Sequence, residues 1–130
     1  MSLALLNDAS ILAACSRSAV QLYDLASRTL TAIDANIVLS AIHAYDSSSK
    51  DEALAFTKLV AHPYRRRLCF LACGSYLVVL STRKPQAPLK VVRVASEIVG
   101  IAGSPASKGI VVVATVGGQL CIVDVEAEQR

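Results

Sequence analysis

Few residues in this 130-residue chain have the type and spacing that covalent chemistry needs. Its two histidines, His43 and His62, stand in neither a Ser/His/Asp nor an HExxH context. His62 precedes Pro63 at what reads as a strand end, a structural position. Cys15, Cys69, Cys73 and Cys121 each fall within an apolar run, where a free cysteine behaves as a small hydrophobe. The pair Cys69 and Cys73 lacks the second Cys/His pair that a zinc site requires. The glycines at 74, 100, 103, 109, 117 and 118 compose neither a dinucleotide fingerprint nor a phosphate loop. Carboxylates stand mostly singly at strand ends. The expectation is no catalytic residue, no metal, no cofactor and no enzyme.

The cations say more. Net charge is only +3, from 13 cations against 10 anions, so distribution matters more than sum. Tyr64-Arg65-Arg66-Arg67 runs directly into Leu68-Cys69-Phe70-Leu71. Three consecutive arginines cannot enter a core strand without a heavy desolvation cost, so they belong to a turn. Arg83-Lys84, Arg28 and Lys108 stand at other breaks between apolar runs. Gathered on one surface, these residues would attract an acidic peptide, an RNA backbone or an anionic lipid. Scattered, they would only keep an apolar protein in solution. A platform for stacked bases would carry aromatics among the cations, and only Tyr64 does so, which favours an acidic protein surface or phosphate contact.

The elements that must position these residues come from a phrase the chain repeats. Ile11–Leu25, Cys69–Thr82 and Val111–Val125 read ILAACSRSAVQLYDL, CFLACGSYLVVLST and VVVATVGGQLCIVDV. Ala14 aligns with Ala72 at an offset of 58, and Ala72 with Ala114 at 42. Turn residues divide each repeat into short strands. In the first repeat the strands read 2–6, 10–15, 19–25 and 28–33. In the second they read 54–61, 68–73, 76–82 and 89–94, with Pro85 and Pro88 in the last connection, where a missing N–H does no harm. In the third they read 98–102, 110–115 and 119–125, with no fourth strand. The second strands are apolar at successive positions, the pattern of a strand covered on both sides. The extra 16 residues of the first spacing form an insertion with an apolar piece, Ile37–Tyr45, and a polar one, Ser47–Glu52.

A repeat of this period, built of four short strands, resembles the WD-repeat β-propeller. Tyr23-Asp24 and Val123-Asp124 stand where that family has its Trp-Asp pair, whereas Ser81-Thr82 does not match. The chain departs from the family pattern in having no Trp and no Gly-His pair, and Ser18 and Gly118 replace its turn aspartate, so the usual hydrogen-bonded tetrad is absent. The resemblance implies an all-β chain of about three antiparallel blades: 1–34, an insertion at 35–53, 54–95, and an incomplete blade at 96–130. Rings need four to eight blades, so three do not close one. It further implies that first–second and third–fourth strand turns share a rim. That rim would hold Arg28, Arg65, Arg66, Arg67, Arg83, Lys84 and Lys108, seven of the 13 cations.

Composition bears on partners. The chain is 54% hydrophobic and 18% charged, against roughly 45–50% apolar and about 25% charged in average soluble domains. Its longest nearly apolar run is Ile110–Val116, far short of the roughly 20 residues of a spanning helix. The N-terminal MSLALLND has no basic region before its short apolar stretch, unlike a secretory signal. These features lead to an expectation of an intracellular, non-enzymatic interaction scaffold whose apolar excess is covered by further blades, another protein or a second copy. Two other readings stand beside it. One is an enzyme on a propeller frame, although the first strands offer only Lys58 as an ionisable group. The other is a compact α/β domain whose self-similarity is coincidental.

Overall fold

The structure is a computed structural model that describes residues 2–5, 11–16, 19–47, 54–62, 68–81, 84, 87–103 and 109–125, with backbone alone for 2–5 and 11–14. Eleven strands and one helix make up the described residues, in three antiparallel sheets. The first sheet is an ordered meander of β1 (Ser2–Leu5), β2 (Ile11–Cys15), β3 (Val20–Asp24) and β4 (Thr29–Ile33). An α-helix, α1 (Ala35–Tyr45), follows it. The second sheet contains β5 (Phe56–Ala61), β6 (Leu68–Cys73), β7 (Tyr76–Ser81) and β8 (Lys90–Arg93). The third contains β9 (Ile98–Gly103), β10 (Ile110–Thr115) and β11 (Leu120–Asp124). β5 lies against β1 on one side and β9 on the other. The first strands are thus the shared inner elements of three propeller-like blades, the last of three strands among the described residues. The sheets do not close on themselves, and the α/β alternative is excluded.

Turn chemistry sets the register. β6 and β7 are joined through the pair Cys73–Tyr76, leaving Gly74-Ser75 as a two-residue turn, with Gly74 at φ +59°. Such tight hairpin turns need a left-handed backbone that glycine adopts freely. The turn also carries an inter-blade bond: the N–H of Ile98, opening β9, donates to the Gly74 carbonyl at 2.9 Å.

Blade 2 is covered on both faces. Cys69, Leu71, Cys73, Tyr76, Val78 and Leu80 share a core with blade 1 and α1. The alternate residues Phe70, Ala72, Leu77 and Val79 share a second core with Val111, Val113 and Val123 of blade 3. This is the two-sided burial expected of second strands. β10 departs from it: Val111, Val113 and Thr115 are buried while Val112 and Ala114 between them are half-buried. The run IVVVAT has the composition of a doubly covered strand, yet among the described residues only one sheet lies against it. At β2 the comparison falls on residues whose side chains lie outside the described set.

The insertion supplies what strand periodicity did not show. α1 starts at Asp34, whose Oδ1 accepts the Asn36 N–H at 2.9 Å, an N-cap that satisfies an otherwise free helical donor. It stops at Asp46, whose N–H donates to the Ile42 carbonyl at 2.8 Å. Val38 and Ile42, four residues apart on one face, are fully buried.

Candidate partner-binding rim and the residues around it

In a meander, first–second and third–fourth connections leave the sheet at the same end, so blades 1 and 2 each have both connections at one edge. Two of the seven rim cations are described there. Arg28 is exposed at the last position of the β3–β4 turn, and Lys84 is exposed between β7 and β8. Arg65, Arg66, Arg67, Arg83 and Lys108 lie outside the described residues.

The Arg28 turn is built by the residues before it. Asp24 ends β3, and its Oδ1 accepts the N–H groups of Ala26 at 2.9 Å and Ser27 at 3.3 Å. The Ser27 and Thr29 hydroxyls lie 2.7 Å apart. Arg28 itself has φ +56°, the left-handed region, unusual for a residue with a Cβ. The aspartate of the Tyr-Asp pair thus acts locally, folding the turn that displays the arginine.

A second polar constellation, which strand-pattern reasoning missed, ties α1 to blade 2. Asp46 Oδ2 accepts from the Tyr76 hydroxyl at 2.9 Å and from the Arg93 guanidinium at 2.8 Å. The guanidinium carbon lies 5.9 Å from the centroid of the Tyr76 ring, which the Tyr45 ring meets edge-on at 6.5 Å. Asp34 and Asp46 bracketing an apolar segment with Val38 and Ile42 four apart were the available sequence signal.

Groups of chemical interest elsewhere sit in packing positions. His62 is buried, with its ring 5.1 Å from that of Phe70. His43 is half-buried on the last turn of α1. All four cysteines are free thiols. Burial pushes the thiols of Cys69 and Cys73 up to about 12, which keeps them protonated and poorly nucleophilic near neutrality. Among the described residues no three His, Cys, Asp or Glu gather in a way that could hold a metal ion. No helix among them is long and apolar enough to cross a membrane.

No family model matches the chain, and no curated protein sequence matches it. Solved structures do. A chain of the COPII outer coat vertex on membranes superposes with a TM-score of 0.74 at 15% identity, over 98% of this chain and 33% of that one. A chain of the membrane-assembled COPII coat gives 0.74 at 15% identity, over 98% and 18%. A chain of a mitotic checkpoint complex gives 0.68 at 11% identity, over 97% and 32%. This chain therefore spans a third or less of the length of each. At such identities the likeness carries the fold alone, which is that of antiparallel propeller blades.

Proposed function

We propose that this chain is the blade-bearing portion of a non-enzymatic protein-interaction scaffold of the WD-repeat type. The observation that carries the reading is the frame: three antiparallel sheets whose first strands lie side by side, with turns and a docked helix on their edges. Rigid β frames bind through such loops. The solved structures it resembles are components of multi-protein assemblies, which supports the same reading. Partners dock on the turns and on the exposed side of α1, where Asn36 and Ser40 face solvent. Substituting Asn36→Arg and Ser40→Arg tests this with cross-linking of the full-length protein in cells. Loss of particular cross-linked partners with folding unchanged supports the scaffold, whereas an identical partner set for wild type and variant overturns docking on α1.

A second reading makes the basic rim the binding face, for an acidic protein surface or an RNA backbone. The exposure of Arg28 and Lys84 in corresponding turns of blades 1 and 2 favours it. Affinity would then fall steeply with salt.

A further inference from the structure

The outer edge of blade 1 is complementary to itself. β4 pairs with β3 on one side, and no described strand pairs with it on the other. Which of its main-chain groups face out follows from the ladder. The Ser16 N–H donates to the Ala19 carbonyl at 2.9 Å, and bonding alternates from residue to residue along an antiparallel pair. That alternation turns Val20, Leu22 and Asp24 toward β4, and their partners Ile33, Thr31 and Thr29 toward β3. The N–H and C=O groups of Leu30 and Ala32 therefore point outward. Thr29, Leu30, Thr31 and Ala32 are all exposed, Leu30 at 60%, and no charge lies within the strand.

Native sheets guard such edges with charged side chains or a covering element. β8 has both, since it carries Lys90 and Arg93 and α1 lies beside it. β11 ends in Asp124 and contains no cation, so a second β11 laid along it offers that carboxylate no partner. β4 differs in the residues that bound it. Arg28 stands two positions before Leu30, and Asp34 two positions after Ala32. Both are exposed. Laid antiparallel on a second β4 with Thr31 on the two-fold axis, Leu30 falls opposite Ala32 and outward groups meet outward groups. Arg28 then falls opposite Asp34 at both ends of the pairing. Asp34 already gives Oδ1 to the Asn36 N–H, which leaves Oδ2 to meet a guanidinium. A shift of register by two residues keeps the main-chain bonds but separates the charges. Parallel pairing sets like against like.

We infer that two copies of this chain associate through their β4 strands, joined antiparallel about Thr31 into one continuous sheet. Leu30 of each copy exchanges main-chain hydrogen bonds with Ala32 of the other, and Arg28 of each pairs with Asp34 of the other. The main-chain bonds hold the copies together, while the exposed ion pairs choose the register and the direction. A two-fold contact of this kind is isologous and closes at two copies. It does not rest on the scaffold reading.

Sedimentation velocity over a range of concentrations tests it. The wild-type chain is expected to pass from the mass of one chain to twice that mass and stop there. Arg28→Asp sets carboxylate against carboxylate at both ends and should stay at single-chain mass over the same range, as should Asp34→Arg with guanidinium against guanidinium. Mixed together, these two variants should form the dimer that neither forms alone. If Asp34→Arg loses its fold for want of the N-cap, Ala32→Pro carries the test. It removes an outward N–H, which an edge strand tolerates, and should stay single with an unchanged circular dichroism spectrum. Leu120→Lys, on the edge strand of blade 3, should leave the dimer intact. A wild-type chain that stays single, a mass that climbs beyond two copies, a dimer that survives Arg28→Asp or Ala32→Pro, folded charge variants that do not pair on mixing, or a dimer dissolved by Leu120→Lys would each overturn the inference.

Discussion

Asp46, the residue that ends α1, holds its carboxylate 2.8 Å from the guanidinium of Arg93 on the edge strand of blade 2, 47 residues away in sequence. The same oxygen accepts the Tyr76 hydroxyl, so one carboxylate closes the insertion onto the sheet at two points. The Arg93 side chain is 49% exposed and that of Asp46 18%, so the ion pair itself contributes little, about 0–1 kcal/mol. The tyrosine is different. Tyr76 is fully buried, and taking the Asp46 carboxylate from its hydroxyl removes a hydrogen bond to a charged group, which contributes about 1.5–3 kcal/mol. Asp46→Ala should therefore destabilise the fold more than Arg93→Ala, with Asp46→Asn between them. Urea unfolding of the three variants checks the order.

Ile42 is the apolar counterpart of that contact. It is fully buried under α1, in the core shared by blades 1 and 2. Ile42→Ala should cost about 2–5 kcal/mol, while Ser40→Ala, on the exposed side of the helix, should change stability by less than about 0.5 kcal/mol. Equal effects in thermal unfolding would mean that the helix is not packed as described.

Two turn glycines separate backbone strain from crowding. Gly74 and Gly118 both have positive φ, +59° and +80°. A Cβ on Gly74 would lie 2.8 Å from Leu54 Cδ2, whereas at Gly118 it meets nothing within 4 Å. Gly118→Ala should cost about 1 kcal/mol from conformation alone, and Gly74→Ala measurably more. Arg28 is the converse case, since Arg28→Gly should gain stability or hold it unchanged because φ +56° suits glycine. Denaturant midpoints read all three.

The thiols give a pH dependence of known sign. Cys69 and Cys73 keep their protons to about pH 12 when folded, against an ordinary value of 9.0. Above about 9 the unfolded chain releases protons that the folded chain retains, so stability is complete below that pH and falls as pH rises toward about 12. Cys69→Ala/Cys73→Ala should flatten this decline in urea midpoints. In the native protein a thiol reagent should reach half-buried Cys121 before the buried Cys15, Cys69 and Cys73.

For the basic rim, replacing Arg65, Arg66 and Arg67 with Ser should weaken binding to an acidic partner by an amount that shrinks as salt rises, with folding hardly altered. Filter binding or interferometry at several salt concentrations measures it. Unfolding by the triple change, or unchanged affinity at every salt concentration, would remove the rim from the function.

The strand plan was legible in the sequence because it rests on local chemistry. Apolar runs of strand length bounded by turn residues place β6 at Leu68–Cys73 and β10 at Ile110–Thr115, the same bounds the structure shows, and the recurrence of the run carries the blade architecture. The helix escaped because its evidence is split between two caps and one short apolar face, a signal that strand periodicity does not report. Its docking depends on Tyr76 and Arg93, distant residues that only the folded chain brings to Asp46. Burial was equally beyond local reading. LCFLAC and IVVVAT are alike in composition, yet the first is buried on both faces and the second on one. A residue's type sets how much it gains by leaving water; only the placement of the neighbouring sheet decides whether it does. The cations of the proposed rim stand in between. Their desolvation cost assigns them to turns from sequence alone, while a common surface for them would be set by how the blades stack.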